Sequence, residues 1–194
     1  MKKIFVLIFL LNFSQSFSQE YNVSNVKIYA WEDVLLAKPD TIYGISFQKL
    51  RLTEVPEKLE KFKNLRVLDL SKNKLVKIPQ FIGDMQFLED LNLAKNKLKY
   101  YPIELCRNSS IRFLRLGRNL FENLPECIES LVKLEYLDLY DTPIGSLPES
   151  LTRMKSLKKI DFTGIRFSPT FQEIWLGKLT NVEMVFDAPC DCME

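Results

Sequence analysis

The sequence predicts an α/β solenoid, on three observations. From Ile42 the chain repeats itself every 23 residues, with units opening at Ile42, Leu65, Leu88, Ile111, Leu134 and Leu157. In the first five units apolar residues return at the first, fourth, sixth, eleventh and fourteenth positions, as in Leu65, Leu68, Leu70, Leu75 and Ile78, and the sixth keeps all but the last. Prolines hold one register at Pro56, Pro79, Pro102, Pro125 and Pro148. A fixed period of roughly 20 to 29 residues marks coils that cannot bury their own apolar face and therefore stack on their neighbours.

Each part of the unit follows from residue chemistry. In Leu68-Asp69-Leu70 the period-two alternation makes a short strand with the leucines inward and Asp69 outward. Stacked coils then build a parallel sheet of about seven strands. Asn73, Asn96 and Asn119 share the position after the strand, where an amide can bond backbone groups of the adjacent loop. Leu50, Thr142 and Ile165 break that series, so the asparagine ladder is expected through the middle coils only. The prolines fix φ and have no N–H to leave unpaired, which suits the turn to the far side. Apolar residues three and six positions later, such as Ile82 and Met85, suit one or two turns of 3₁₀- or α-helix.

The repeats Leu65-Arg-Val-Leu68-Asp-Leu70-Ser-Lys-Asn73-Lys-Leu75 and Leu88-Glu-Asp-Leu91-Asn-Leu93-Ala-Lys-Asn96-Lys-Leu98 resemble the leucine-rich repeat family, in its LxxLxLxxNxLxxLPxxLxxL form. The resemblance runs from about Ile42 to Phe186. It implies a curved horseshoe with a concave parallel sheet, and a role in binding, most often to another protein.

An open stack needs caps at both ends. Residues 19–41 are expected to form the first, with a short amphipathic helix from Trp31 to Lys38 that stops before Pro39. The repeats are assigned to 42–179. Near their end a helix is expected from Ser168-Pro169-Thr170 through Phe171, Ile174 and Trp175. Residues 180–194 are assigned to a cap strand and a loose tail, with Leu179, Val182, Met184 and Phe186 alternating as the seventh strand.

Residues 1–18 have the pattern of a secretory signal peptide: Lys2 and Lys3, an apolar run from Ile4 to Leu11, then Ser16-Phe17-Ser18 before a cut at Gln19. The apolar run falls far short of the roughly 20 residues that span a bilayer. A secreted, periplasmic or cell-surface location follows, with no membrane span, and the lysine-rich start and brief apolar core have a bacterial character. The mature chain is about 175 residues, one domain's worth. Lys2 and Lys3 account for the whole excess of 27 basic over 25 acidic residues, so the mature protein is near neutral and nucleic acid is not an expected partner.

Four cysteines in an exported chain allow three disulfide connectivities. Cys106 and Cys127 sit on adjacent coils and can meet on the convex side, or stay as small semi-buried residues. Cys190 and Cys192 can form a tight ring, pair elsewhere or remain reduced. With no histidine in the chain, Ser-His-Asp and Cys-His chemistry is excluded, a metal site at Cys190 and Cys192 lacks ligands, and no cofactor is expected. No glycine-rich phosphate loop occurs. The expectation is a non-enzymatic protein. Asn22-Val-Ser24 and Asn108-Ser-Ser110 match the glycosylation sequon, a weak motif alone.

Outward strand residues stack into columns across the concave face. Phe113, Tyr136 and Tyr140 come together there on the fourth and fifth coils, beside Arg115 and Asp138, with the composition of an interface hot spot. Ala94 and Gly117 leave room beside them. Aromatic residues on a sheet also pair across strands for stability alone. Lys49, Lys72, Lys95 and Arg118 form a basic ladder at the sheet's exit edge, which suits an anionic glycan or serves as a solvated edge. The expected partner is a protein on the concave face, with an envelope glycan or lipopolysaccharide on the basic edge, or an adhesive role, as alternatives. A monomer is expected.

Overall fold

In the computed structural model, which describes residues 25–187, a single open sheet of eight parallel strands runs along the chain. The strands β1 (Tyr29–Ala30), β2 (Gly44–Ser46), β3 (Val67–Asp69), β4 (Asp90–Asn92), β5 (Phe113–Arg115), β6 (Tyr136–Asp138), β7 (Lys159–Asp161) and β8 (Glu183–Val185) follow one another in chain order. The architecture is the expected horseshoe solenoid. The leader at 1–18, the sequon at Asn22, and Cys190 and Cys192 lie outside the described residues.

Identical register from coil to coil produces a continuous core. Leu68 lies beside Leu91, Leu91 beside Leu114 and Leu114 beside Leu137, and all four are fully buried. Removing one such leucine to alanine costs roughly 2–5 kcal/mol. The strand beyond the expected seven is β1, two residues paired to β2 by Tyr29 against Ile45. It lies before the first period, where no repeat could announce it.

The asparagine ladder runs through the middle coils. Asn96 Nδ2 donates to the carbonyls of Leu70 (3.0 Å) and Leu93 (2.9 Å), and its Oδ1 accepts the Leu75 N–H (3.0 Å). Asn73 and Asn119 repeat this pattern. In the fifth coil Thr142 satisfies only Leu139, by its hydroxyl at 2.7 Å. On the convex side each repeat proline offers its carbonyl to the N–H three residues on, at Leu59, Ile82, Leu105, Ile128 and Leu151. These turns are 3₁₀ in four coils and a single α turn, α2 (Gln80–Gly83), in the second. Cys106 and Cys127 form a disulfide between the convex segments of the third and fourth coils, with Cα atoms 5.7 Å apart.

The first cap helix, α1 (Trp31–Val34), is shorter than its apolar spacing suggests. Pro39 forces Lys38 into extended backbone, and the chain turns at Ala37. Trp31 still covers the first coil, its ring 4.7 Å from Phe47 and 5.9 Å from Phe62. At the other end α3 (Pro169–Lys178) starts where Ser168 Oγ accepts the Phe171 N–H at 3.2 Å. Phe171 stacks on Phe167, and Trp175 closes the core.

After its strand each coil turns through a left-handed residue at one shared position, Lys49, Lys72, Lys95, Arg118, Asp141 and Gly164, with φ of 64, 58, 59, 54, 53 and 84°, and the first coil adds a second at Arg51, φ 58°. Glycine adopts this freely, whereas other residues are strained by roughly 1–2 kcal/mol.

Candidate interaction face

The concave face is built from the outward strand residues and the strand ends, and two columns organise its polar groups. The column between the two strand leucines reads Ser46, Asp69, Asn92, Arg115, Asp138, Asp161. In five of these the short side chain accepts the backbone N–H two residues on: Ser46 from Gln48, Asp69 from Ser71, Asn92 from Ala94, Asp138 from Tyr140 and Asp161 from Thr163. The column is therefore first a turn-stabilising one. Arg115 departs from it, since guanidinium cannot accept. Its Nη1 instead bonds Asp90 Oδ1 of the preceding coil, a carboxylate buried on the sheet surface.

A second column crosses the sheet at the strand starts. Arg66 reaches Glu89 at 2.7 Å, Arg112 reaches Glu89 at 3.5 Å and Glu135 at 2.6 Å, and Lys158 reaches Glu135 at 2.6 Å. Charges alternate along five coils, so every neighbour is opposite. Burial pushes the Glu135 carboxyl up, but hydrogen bonds from Lys158 and Arg112 outweigh it and hold the group below the usual range. The sign of this column alternates every 23 residues in the sequence, a signal that apolar patterning passes over.

The aromatic residues are not equivalent. Phe113 and Tyr136 are register partners. Phe113 is only 4% exposed: it clusters with Val67, both Tyr136 and Val26 pack against that cluster, and the Arg112 guanidinium carbon lies 5.1 Å from the Phe113 ring centre. Phe113 is thus the floor of the face and Tyr136, half-buried, its surface. Tyr140 lies over Gly117, where an added Cβ would meet Asp138 Oδ1 and the Tyr140 carbonyl at 2.9 Å. The room that Gly117 leaves is filled by the chain itself. Arg118 donates to the Tyr140 hydroxyl (3.1 Å) and to Asp141 (3.0 Å). Of the basic ladder, Lys49, Lys72 and Lys95 are exposed and Arg118 is already paired.

Asp138 stands beside Asp161 in the next strand. Burial, and then the Asp161 charge, push its carboxyl up to about 6 against the pull of the Tyr140 N–H and Arg115. At the face's first coil the outward position is Gly44, because a Cβ there would strike the Lys27 carbonyl and the Val26 side chain at 2.8 and 2.9 Å. The segment before β1 therefore lies across the first coil, and its Val26 packs against the cluster of Val67 and Phe113. Asn108 of the internal sequon is buried, donating to the Met85 carbonyl and accepting from Ser110 and Ile111, so it acts as a loop brace. Among the described residues no group of histidine, cysteine, aspartate or glutamate could hold a metal, and no helix is long and apolar enough to cross a membrane.

Comparison with known proteins agrees with this geometry. Family models for the leucine-rich repeat match residues 63–121 and 133–154. No curated protein sequence matches the chain significantly. Among solved structures, a leucine-rich repeat protein of Leptospira interrogans is similar over 76% of this chain and 43% of its own, at 25% identity and a TM-score of 0.58. The ectodomain of the plant membrane receptor kinase GASSHO1/SCHENGEN3 from Arabidopsis thaliana, solved in complex with CASPARIAN STRIP INTEGRITY FACTOR 2, is similar over 75% of this chain and 18% of its own, at 29% identity and a TM-score of 0.59. The chain spans less than half the length of either. The chain is a leucine-rich repeat protein, a class that typically serves as a non-enzymatic binding scaffold.

Proposed function

We propose that this chain is an exported, non-enzymatic protein that recognises another protein on its concave face. The contact is centred on Tyr136 and Arg115, floored by Phe113 and rimmed by Asp138 and Tyr140. The observation that carries this reading is Arg115. Five coils use its position for a short side chain that braces the turn, and the fourth coil puts there a guanidinium, which cannot accept a backbone N–H and reaches to Asp90 of the preceding coil, with the half-buried Tyr136 on the next strand. Arginine and tyrosine, next to each other on a rigid sheet, are the residues that most often dominate interface energy. Rigidity helps, since the ordering cost on binding is small. The complexed Arabidopsis ectodomain supports a protein partner for this class of fold.

Export is supported by the pattern of residues 1–18 and by the Cys106–Cys127 disulfide, which persists in oxidising compartments. The Leptospira neighbour suits a bacterial origin. The test is capture of the partner from the envelope of the source cell with immobilised mature protein, followed by the same capture with Tyr136→Ala and Tyr140→Ala. Loss of the partner by at least about tenfold, with the melting curve unchanged, supports the concave site. Retention by both variants sinks it. Self-association of the mature protein in light scattering would favour an adhesive role instead.

A further inference from the structure

The flank by which the chain leaves the sheet is basic over its first three coils. In the first coil Lys49 and Arg51 stand there. Lys72, Lys74 and Lys77 follow in the second, and Lys95, Lys97 and Lys99 in the third. All are exposed, and none makes an ion pair with a described carboxylate. Across residues 49–54, 72–77 and 95–100 the only acid is Glu54. Beyond the third coil the flank changes: Arg118 is paired, and Glu122 and Asp141 appear.

The cations form two rows fixed by backbone. The N–H groups of Lys49, Lys72 and Lys95 bond the Ser71, Ala94 and Gly117 carbonyls, placing these residues one above another at the sheet spacing of about 4.8 Å. Lys74 and Lys97 make the second row through the Leu52 and Leu75 carbonyls. Like charges this close repel, and the opposite flank shows how the same fold avoids it, by alternating Arg66, Glu89, Arg112, Glu135 and Lys158. The turn itself does not ask for cations. Lys49, Arg51, Lys72 and Lys95 sit at φ of 64, 58, 58 and 59°, where glycine is unstrained, and the later coils fill the first row's position with Asp141 and Gly164. Backbone strain and uncompensated charge are thus concentrated on one surface, and a polyanion would relieve the second.

We propose that this flank is a second binding site, separate from the concave face, for a linear anionic polysaccharide whose carboxylate, sulfate or phosphate groups lie along the two lysine rows. The inference does not depend on the concave-face reading. Tyr100, 83% exposed, and Val76, 56% exposed, rise among the lysines and offer apolar contact to the C–H faces of sugar rings. Two such side chains are too few to anchor the flank in a bilayer.

Heparin serves as the probe, with mature protein titrated at about 0.1 M NaCl, near a Debye length of about 10 Å. The variant Lys72→Glu, Lys74→Glu, Lys95→Glu, Lys97→Glu is compared with Lys58→Glu, Lys61→Glu, Lys133→Glu, Lys155→Glu, which changes net charge equally elsewhere. The flank variant should bind roughly tenfold or more weakly with a shallower salt dependence, and the control should stay within about twofold of wild type. Should the flank variant fail to fold, Lys74→Gln with Lys97→Gln, both at ordinary backbone positions, should still weaken binding about threefold. No wild-type binding to heparin, equal losses in both fourfold variants, or binding only to phosphatidylglycerol-containing vesicles would each overturn the proposal.

Discussion

Asn96→Ala should be among the most destabilising single changes in this chain, although it removes no apolar group. The side chain closes three hydrogen bonds at 2.9–3.0 Å: two donations to Leu70 and Leu93, and one acceptance from Leu75. These bind the second coil to the third at a buried point where water has no access, the Asn96 residue being 7% exposed. At about 1 kcal/mol net per bond the loss is about 3 kcal/mol, and the orphaned carbonyls and N–H raise it toward 5 kcal/mol. Against a domain stability of about 5–15 kcal/mol that is a large share. Asn96→Asp is the sharper control. It keeps the volume and the acceptor for Leu75, yet turns a carboxylate toward two carbonyl oxygens, so it should cost as much as alanine or more. The assay is equilibrium urea unfolding of the mature protein, followed by tryptophan fluorescence and circular dichroism. A loss below about 1 kcal/mol for alanine, or a tolerated aspartate, would refute the reasoning that the amide ladder satisfies the coil interior.

Asp138→Asn should stabilise the protein at pH 7.5 by about 1–2 kcal/mol, because Asn92 shows that an amide braces the same turn without charge. With its carboxyl raised from 3.8 to about 6, Asp138 favours the fold fully below pH about 4 and loses that contribution as pH rises through 6. Urea midpoints across pH 4–8 should therefore flatten in the variant. Tyr101→Phe should raise stability by about 1 kcal/mol, since its buried hydroxyl makes no hydrogen bond to a described residue; a lower melting temperature would contradict this. Cys106→Ser with Cys127→Ser should cost about 3 kcal/mol by the loop-entropy estimate, for a separation of 21 residues, and the wild type should match that loss on reduction.

What the sequence made legible was whatever the period enforces. Leu68, Leu91 and Leu137 repeat because the core needs them in every coil, and Asn96 because the loop above it does. Features made by contact between coils were less visible. The Arg66 to Lys158 charge ladder has the same period, but its meaning lies in alternating sign. The bracing role of Asp138 emerges only when its column is read as short acceptors, and that reading is what singles out Arg115. Phe113 looked like surface from alternation, yet Val67, Tyr136 and the Arg112 guanidinium cover it. Strand β1 and the crossing of Gly44 by Val26 and Lys27 belong to the unrepeated segment, where pattern gives no purchase.

The proposal of concave recognition is tested most directly by site-specific photocrosslinking. A benzophenone amino acid replaces Tyr136 in one sample and the exposed convex Ile103 in another, and each is irradiated in envelope extract of the source cell. A discrete protein adduct from position 136, competed by unlabelled wild type, weakened by Arg115→Ala and absent from position 103, is the predicted result. Adducts from position 103 alone, or equally from both, would contradict it.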